Sequence, residues 1–193
     1  INYMPELPEV EVVKKSLENK LKNLTIREVV INNNKLRYKI KNRQFYKIKG
    51  QKIISVKRRS KYLLIHLSRD FTILAHLGMT GKFFIIDKKN KKQKTSFYYS
   101  INKNESKHDH LTLYLDKGLK LIYNDVRKFG FLKLFETKNI YKSNHLKLLG
   151  PEPLTKEFNL NYIVKYIVNK KKKNQRSING SKICFRIRQH ILQ

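Results

Sequence analysis

The chain has 193 residues, and its 44 Lys and Arg against 14 Asp and Glu give a formal net charge of +30. This length holds one well-packed core, or one domain and part of a second. The single Cys excludes a disulfide framework and any zinc site built from the chain's own cysteines. No apolar run is long enough to span a bilayer and no signal-peptide pattern is present, which predicts a cytoplasmic protein without a membrane partner.

The positive charge predicts attraction to a polyanion such as nucleic acid, although an A/T-rich codon bias would also raise the Lys content. Both explanations of the charge stay open.

The first predicted element is an amphipathic helix. Val10, Val13, Leu17 and Leu21 recur at helical spacing. Pro8 suits the first helical turn, which places the start of the helix within the first ten residues.

A series of short β-strands is predicted after this helix. The runs are rich in β-branched and aromatic residues. They cover residues 25–31, 52–56, 62–67, 71–77, 82–86, 111–115, 119–123 and 131–135. Hairpin turns are predicted at residues 68–70 and at Lys117-Gly118, and residues 88–107 read as an exposed, mobile loop.

Helical spacing returns beyond Gly150, over residues 157–169, and runs into four consecutive lysines at 170–173. A β-rich domain followed by the start of a helical one is the simplest interpretation. It predicts an α+β fold with domain limits at residues 4–137 and 138–173.

Residues 4–11, with the sequence MPELPEVE, form the most distinctive motif of the chain. On general grounds the motif is a helix start flanked by prolines. A proline that follows an initiator Met becomes the amino terminus once the Met is removed. Its secondary amine has a pKa of about 8, so a useful fraction is nucleophilic at physiological pH.

The octet resembles the start of the bacterial formamidopyrimidine-DNA glycosylases (Fpg). The resemblance implies a catalytic β-sandwich domain with an N-terminal helix, followed by a helical domain with a helix–two-turn–helix element. It also implies that Pro5 is the Schiff-base nucleophile and that Glu6 is the general acid and base. Ile1, Asn2 and Tyr3 depart from the family pattern. We expect Met4 to be the true start, because Pro5 within a chain is an unreactive tertiary amide.

Further segments carry the same resemblance. Residues 57–64, KRRSKYLL, resemble a family segment whose active-site lysine corresponds to Lys61. Residues 76–81, HLGMTG, and 124–130, NDVRKFG, resemble the two loops that fill the gap left by a flipped nucleotide. The resemblance assigns that role to Met79, Arg127 and Phe129. If residues 127–129 are extended, Arg127 and Phe129 face the same side.

Residues 107–110, KHDH, place two imidazoles two residues apart. On one face of a strand they would begin a metal site, but no third ligand is evident nearby. The same four residues occur in Fpg proteins, and the resemblance assigns a DNA contact to His108. Residues 149–154, LGPEPL, resemble the family's interdomain segment, and an ungapped count places Lys170 on a family lysine that contacts a DNA phosphate.

The resemblance ends near residue 173. The family continues with a GxGNIY motif and a zinc finger of four Cys, and residues 174–193 contain neither. Shifting the codons of this tail by one base permits LLMDQKF from residues 177–183 and GLGNIY from residues 186–191. We therefore interpret residues 174–193 as out-of-frame sequence that follows a frameshift in the lysine codons of residues 170–173.

The resemblance implies a bifunctional DNA glycosylase and abasic-site lyase. Its partner would be double-stranded DNA with oxidised purines, such as 8-oxoguanine and formamidopyrimidines, or with abasic sites. We expect a nucleoid-associated monomer with no bound metal or cofactor in this chain, since the family's structural zinc belongs to the missing finger. The alternative is a catalytically dead, truncated product of a decaying gene that binds DNA by charge alone.

Overall fold

The computed structural model describes residues 5–97, 99 and 105–171 of the chain. The contacts divide the chain into two compact units, with the boundary between Tyr141 and Lys142. The strands described all lie in the first unit, and the second contains the C-terminal helix of the described range. The domain limits at residues 137 and 173 stay predictions.

The first unit begins with a helix, α1, and continues mainly as β-structure. Its regular elements are α1 (Leu7–Leu21), β1 (Ile26–Ile31), a short α2 (Asn42–Phe45), β2 (Ile53–Arg59), β3 (Tyr62–Leu67), β4 (Phe71–His76), β5 (Gly81–Ile86), β6 (Lys92–Lys94), β7 (Asp109–Leu115), β8 (Lys120–Asp125) and β9 (Phe131–Glu136). Short 3-10 helices lie at Tyr46–Ile48, Glu105–His108, Asp116–Gly118 and Thr137–Lys142.

The strands form two antiparallel sheets. One has the order β1-β7-β8-β5-β6 and the other has the order β2-β3-β4-β9. Apolar residues of both sheets and of α1 belong to a single buried cluster. This arrangement confirms the predicted β-sandwich with an N-terminal helix.

Both predicted hairpin turns are confirmed. β3 pairs with β4 around Asp70, which adopts the left-handed conformation (φ 54°). β7 pairs with β8 around Lys117 and Gly118, whose φ angles are 59° and 69°. Such angles are typical of tight turns between antiparallel strands.

The buried face of α1 confirms the predicted helical periodicity. Val10, Val13, Leu17 and Leu21 are at most 1% exposed. The helix packs against β2 and β3.

The prediction of an exposed, mobile loop over residues 88–107 is wrong for residues 92–96 and Tyr99, whereas residues 88–91, 97, 106 and 107 are exposed as predicted. β6 pairs with β5, and Thr95 and Tyr99 are buried. The Tyr99 hydroxyl donates a hydrogen bond to the carbonyl oxygen of Phe83 (2.6 Å) and lies 2.6 Å from the Thr95 hydroxyl. The Lys-rich and Asn-rich composition of the segment gave no indication that Tyr99 is buried.

The second unit contains α3 (Leu160–Lys171), which confirms the helix predicted there. The Asn159 side chain accepts a hydrogen bond from the backbone N–H of Tyr162 (3.0 Å). This contact satisfies one of the free donors at the helix N-terminus and explains why the helix begins at Leu160. None of the helices within the described ranges has the length and apolar character needed to cross a membrane.

Candidate active site

A hydrogen bond between the backbone of Glu6 and the side chain of Glu9 holds the start of α1. The N–H of Glu6 donates a hydrogen bond to the Glu9 carboxylate (2.9 Å), as expected of a helix N-terminus with an acidic residue in its first turn. Pro5 is buried and Glu6 is half-buried. The two predicted catalytic residues of this segment are therefore shielded from solvent, fully for Pro5 and partly for Glu6.

Lys61 lies in the turn between β2 and β3, and its side chain is 7% exposed. Burial lowers the pKa of the Lys61 amine below its ordinary value, and the carboxylates of Glu6 and Glu9 act in the opposite direction. Within the described residues, the structure thus brings Glu6 and Lys61 into electrostatic contact, although 55 positions separate them in the sequence. The sequence predicts Glu6 and Lys61 as site residues. It does not predict the effect of the Glu9 carboxylate on the pKa of Lys61.

An ion pair joins the helix to this turn. Arg58 on β2 donates from Nε to the Glu11 carboxylate on α1 (2.6 Å) and from a terminal nitrogen to the carbonyl of Ser60 (3.1 Å). These contacts connect α1 to the backbone of Ser60, the residue that precedes Lys61. Sequence reasoning missed the pair, because nothing local relates residues 47 positions apart.

Met79, Arg127 and Phe129 are carried by two connections that run from one sheet to the other, β4 to β5 and β8 to β9. Met79 is half-buried between β4 and β5, and Arg127 and Phe129 are exposed between β8 and β9. The guanidinium carbon of Arg127 lies 4.7 Å from the centre of the Phe129 ring, a cation–π contact. Lys128 between them has a φ of 59°, so a left-handed turn, and not the alternation of an extended strand, brings the two side chains together.

The two connections are in direct contact. A Cβ added at Gly78 would lie 2.5 Å from the Gly130 nitrogen and 2.6 Å from the carbonyl carbon of Phe129. The ring of His76 accepts a hydrogen bond from the N–H of Gly78 (3.1 Å). The connection that carries Met79 therefore contacts the connection that carries Arg127 and Phe129, the two residues to which the resemblance assigns the same role.

The two histidines of residues 107–110 have different environments. His108 ends a 3-10 helix and is half-buried, whereas His110 is fully buried in β7. The ring nitrogens of His110 lie 2.9 Å from the carbonyl oxygen of Asn33 and 3.0 Å from that of Asp125. Its ring links three segments of main chain, which contradicts the two-histidine metal alternative. Among the residues that the structure describes, no group of three or more His, Cys, Asp or Glu is arranged to hold a metal ion.

The remaining predictions fall at or beyond the edge of the described range. The backbone of Lys170 belongs to α3, but its side chain lies outside the described residues. Ile1 to Met4 and residues 174–193, the tail predicted to follow a frameshift, also lie outside the described residues.

Comparison with known proteins places this geometry in a family. Residues 4–132 match the family model of the formamidopyrimidine-DNA glycosylase N-terminal domain. The chain belongs to the formamidopyrimidine-DNA glycosylase (Fpg) family. The match covers α1, the turn with Lys61 and both connections that carry Met79, Arg127 and Phe129.

Individual Fpg proteins agree with this assignment. The chain is 42% identical over 172 residues to the formamidopyrimidine-DNA glycosylase of Bartonella tribocorum and 35% identical over 167 residues to that of Rhodopseudomonas palustris. These matches cover 87% and 86% of the chain, but 57% of each relative.

Solved structures of the Lactococcus lactis Fpg protein share the fold. A complex with abasic-site DNA superposes with a TM-score of 0.67 at 30% identity, covering 88% of this chain and 57% of that one. A complex with N7-benzyl-Fapy-dG DNA gives 0.67 at 31% identity, covering 88% and 56%. The chain thus spans a little over half the length of the Fpg proteins that it matches.

Proposed function

We propose that this chain carries the catalytic half of a base-excision DNA glycosylase and abasic-site lyase. Pro5 is the nucleophile, Glu6 and Lys61 move protons, and Met79, Arg127 and Phe129 fill the space left by an extruded nucleotide. The observation that carries the proposal is the buried amine of Lys61 beside the carboxylates at the head of α1, directly after Pro5. Perturbed titratable groups that meet in this way are typical of catalytic sites.

The chemistry begins at a free secondary amine. The Pro5 nitrogen attacks the anomeric carbon of the deoxyribose, the bond from that carbon to the damaged base breaks, and the base leaves with a proton. Ring opening gives an iminium, and Glu6 protonates the released ring oxygen. The iminium then draws electrons as a C2′ proton is lost, so that the 3′ and afterwards the 5′ phosphate are eliminated. Water finally hydrolyses the remaining imine and frees the amine.

Lys61 suits the part of proton donor and charge stabiliser. Burial lowers the pKa of its amine, which makes proton transfer to a departing base easier than from an exposed lysine. Its residual positive charge would stabilise a developing anion or a neighbouring phosphate in a site from which water is largely excluded.

The substrate we propose is duplex DNA with oxidised purines, such as 8-oxoguanine or formamidopyrimidines, and abasic sites. Extruding a base costs a few kcal/mol of stacking, which an apolar wedge and an arginine partly restore. Exposed Phe129 with Arg127 stacked on it provides such a wedge. His108 and Lys170 would contact the phosphate backbone. We further propose a monomer in the bacterial cytoplasm, associated with the nucleoid through DNA.

Borohydride trapping on abasic-site duplex tests the proposal. Borohydride reduces an iminium to a stable amine, so a chain whose first residue is Pro5 should form a covalent adduct that peptide mass analysis maps to Pro5. The matched control retains Ile1 to Met4 and should give no adduct, because its Pro5 nitrogen is an amide. Glu6→Gln should slow adduct formation. Equal trapping with and without the first four residues would contradict the proposal.

The same experiment addresses the second candidate, a catalytically inactive DNA-binding product. The high positive charge favours it. Binding that weakens steeply with salt and leaves no adduct would identify such a protein.

A further inference from the structure

Asp125, at the end of β8, is fully buried between the two connections of the candidate site. One carboxylate oxygen accepts a hydrogen bond from the N–H of Gly130 (2.8 Å). The other accepts one from the hydroxyl of Thr80 (2.5 Å). A single carboxylate thus holds residues 77–80 and residues 126–130 together.

Thr80 extends this link to the arginine. Its hydroxyl oxygen accepts a hydrogen bond from the backbone N–H of Arg127 (3.0 Å) while its proton is directed at Asp125. One hydroxyl acts as donor and acceptor at once. The backbone of Arg127 is therefore fixed relative to the connection that carries Met79.

We infer that Thr80 and Asp125 are positioning residues that form a clamp, which presets Met79, Arg127 and Phe129 as one unit for insertion into DNA. This inference rests on the proposed function. Side chains that replace an extruded base act only from a narrow range of positions, and a mobile loop would lose conformational entropy on insertion. Ordering the two connections before DNA binds removes that cost from the flipping step.

The surroundings of the clamp support a role beyond general stability. The main chains touch at Gly78 and Gly130, where no side chain fits, so the Thr80 and Asp125 contacts set the spacing of the two connections. Thr80 itself is half-buried at the rim, away from the large apolar core. Removing its hydroxyl therefore leaves the apolar core packed, and the cost falls on the Asp125 carboxylate, which loses one hydrogen-bond donor.

Thr80→Val and Thr80→Ser form a matched pair for the test. Valine keeps the shape of threonine and loses both hydrogen bonds, whereas serine keeps the hydroxyl. Two substrates separate positioning from chemistry. In duplex DNA with 8-oxoguanine, the damaged base must be extruded from the stack. In a duplex whose abasic site lies opposite a one-nucleotide gap, there is neither a base to extrude nor an opposite base. Single-turnover excision is measured on the first and borohydride trapping on the second.

We expect Thr80→Val to slow excision from the duplex by about tenfold, the usual effect of losing buried hydrogen bonds worth about 1.4 kcal/mol. Trapping at the gapped site should change by less than about twofold, and Thr80→Ser should stay within about threefold of wild type on both substrates. Equal loss of both activities in Thr80→Val, or no loss of either, would overturn the inference.

Hydrogen exchange of the free protein keeps this test independent of catalysis. Thr80→Val should accelerate exchange of the Arg127 amide by about tenfold and leave amides in the middle of β3 unchanged. If the wild-type chain forms no adduct, the proposed function fails and exchange alone decides. An Arg127 amide that exchanges equally in wild type and Thr80→Val would then show that no clamp exists.

Discussion

Arg58 on β2 and Glu11 on α1 form a hydrogen-bonded ion pair, with 2.6 Å between Nε and the carboxylate oxygen. Their side chains are 15% and 31% exposed, so water screens the pair less than it screens a surface ion pair. Arg58 also donates to the carbonyl of Ser60, next to Lys61. The pair therefore joins the helix that follows Pro5 to the turn that carries the buried amine.

Glu11→Gln should weaken this connection. We expect the free energy of unfolding to fall by about 1 kcal/mol, as for loss of a charge-assisted hydrogen bond, and adduct formation at an abasic site to slow several-fold. Urea unfolding and the single-turnover trapping rate measure the two effects. Glu28→Gln removes the same charge from an exposed strand position and should change neither. Similar behaviour of both variants would show that the ion pair has no positioning role.

Lys61→Met should abolish activity and yet stabilise the fold at neutral pH. Burial lowers the pKa of Lys61 in the folded chain below that of the unfolded chain, so the charged amine opposes folding at pH 7. Between the two pKa values the unfolded chain binds more protons, and the wild-type free energy of unfolding rises with pH.

The stability advantage of Lys61→Met should accordingly shrink as the pH rises from 7 towards 10.5. Urea midpoints at several pH values measure it. Lys57→Met, at an exposed position on β2, is the control and should show no such trend. A lower midpoint for Lys61→Met at pH 7 would contradict the prediction.

Gly130→Ala should destabilise the protein through steric overlap. The new Cβ would lie 2.0 Å from the Tyr123 hydroxyl oxygen and 2.5 Å from the carbonyl oxygen of His76. We expect a loss of about 2–4 kcal/mol in the free energy of unfolding, measured by thermal or urea denaturation. Gly50→Ala is the control, since Gly50 has a positive φ (80°) but no atom within 4 Å of the added Cβ. It should cost about 1 kcal/mol, from backbone strain alone.

Phe129→Ala should weaken DNA binding without unfolding the chain. The ring is 44% exposed, so its removal should alter the free energy of unfolding by less than about 0.5 kcal/mol. Loss of a stacked aromatic should lower affinity for abasic-site duplex about tenfold, measured by fluorescence anisotropy at fixed salt. Val126→Ala, 43% exposed in the same connection, should leave the affinity unchanged. Equal affinities of the two variants would exclude a wedge role for Phe129.

Tyr99→Phe should reveal the buried anchor of residues 88–107. Burial raises the pKa of Tyr99 to about 12. The unfolded tyrosine ionises near pH 10, so the wild-type free energy of unfolding should fall as the pH rises from about 10 to 12. Tyr99→Phe should lack this fall and lose about 1 kcal/mol at pH 7 with its hydrogen bonds. Tyr46→Phe, at a ring that is 52% exposed, should retain the wild-type pH dependence in urea titrations.

Elements whose signals are local could be predicted from the sequence without coordinates. The apolar stripe of α1, the strands rich in β-branched and aromatic residues, both hairpin turns and the helix α3 follow from periodicity, composition and turn chemistry, which act between near neighbours. The motifs around Pro5, Lys61, Met79 and Arg127 likewise occur in short continuous runs, so their family was recognisable without coordinates.

The contacts between these runs became visible only in the folded chain. The contacts of Arg58 with Glu11, Thr80 with Asp125 and His110 with Asn33 join residues 45 to 77 positions apart. No periodicity encodes such partners. For the same reason the sequence could not show that His110 links main-chain carbonyls in the interior, or that Tyr99 is buried within a polar segment. A side chain's environment depends on which distant segment the sandwich brings to it, because burial and hydrogen bonding are properties of the packed fold.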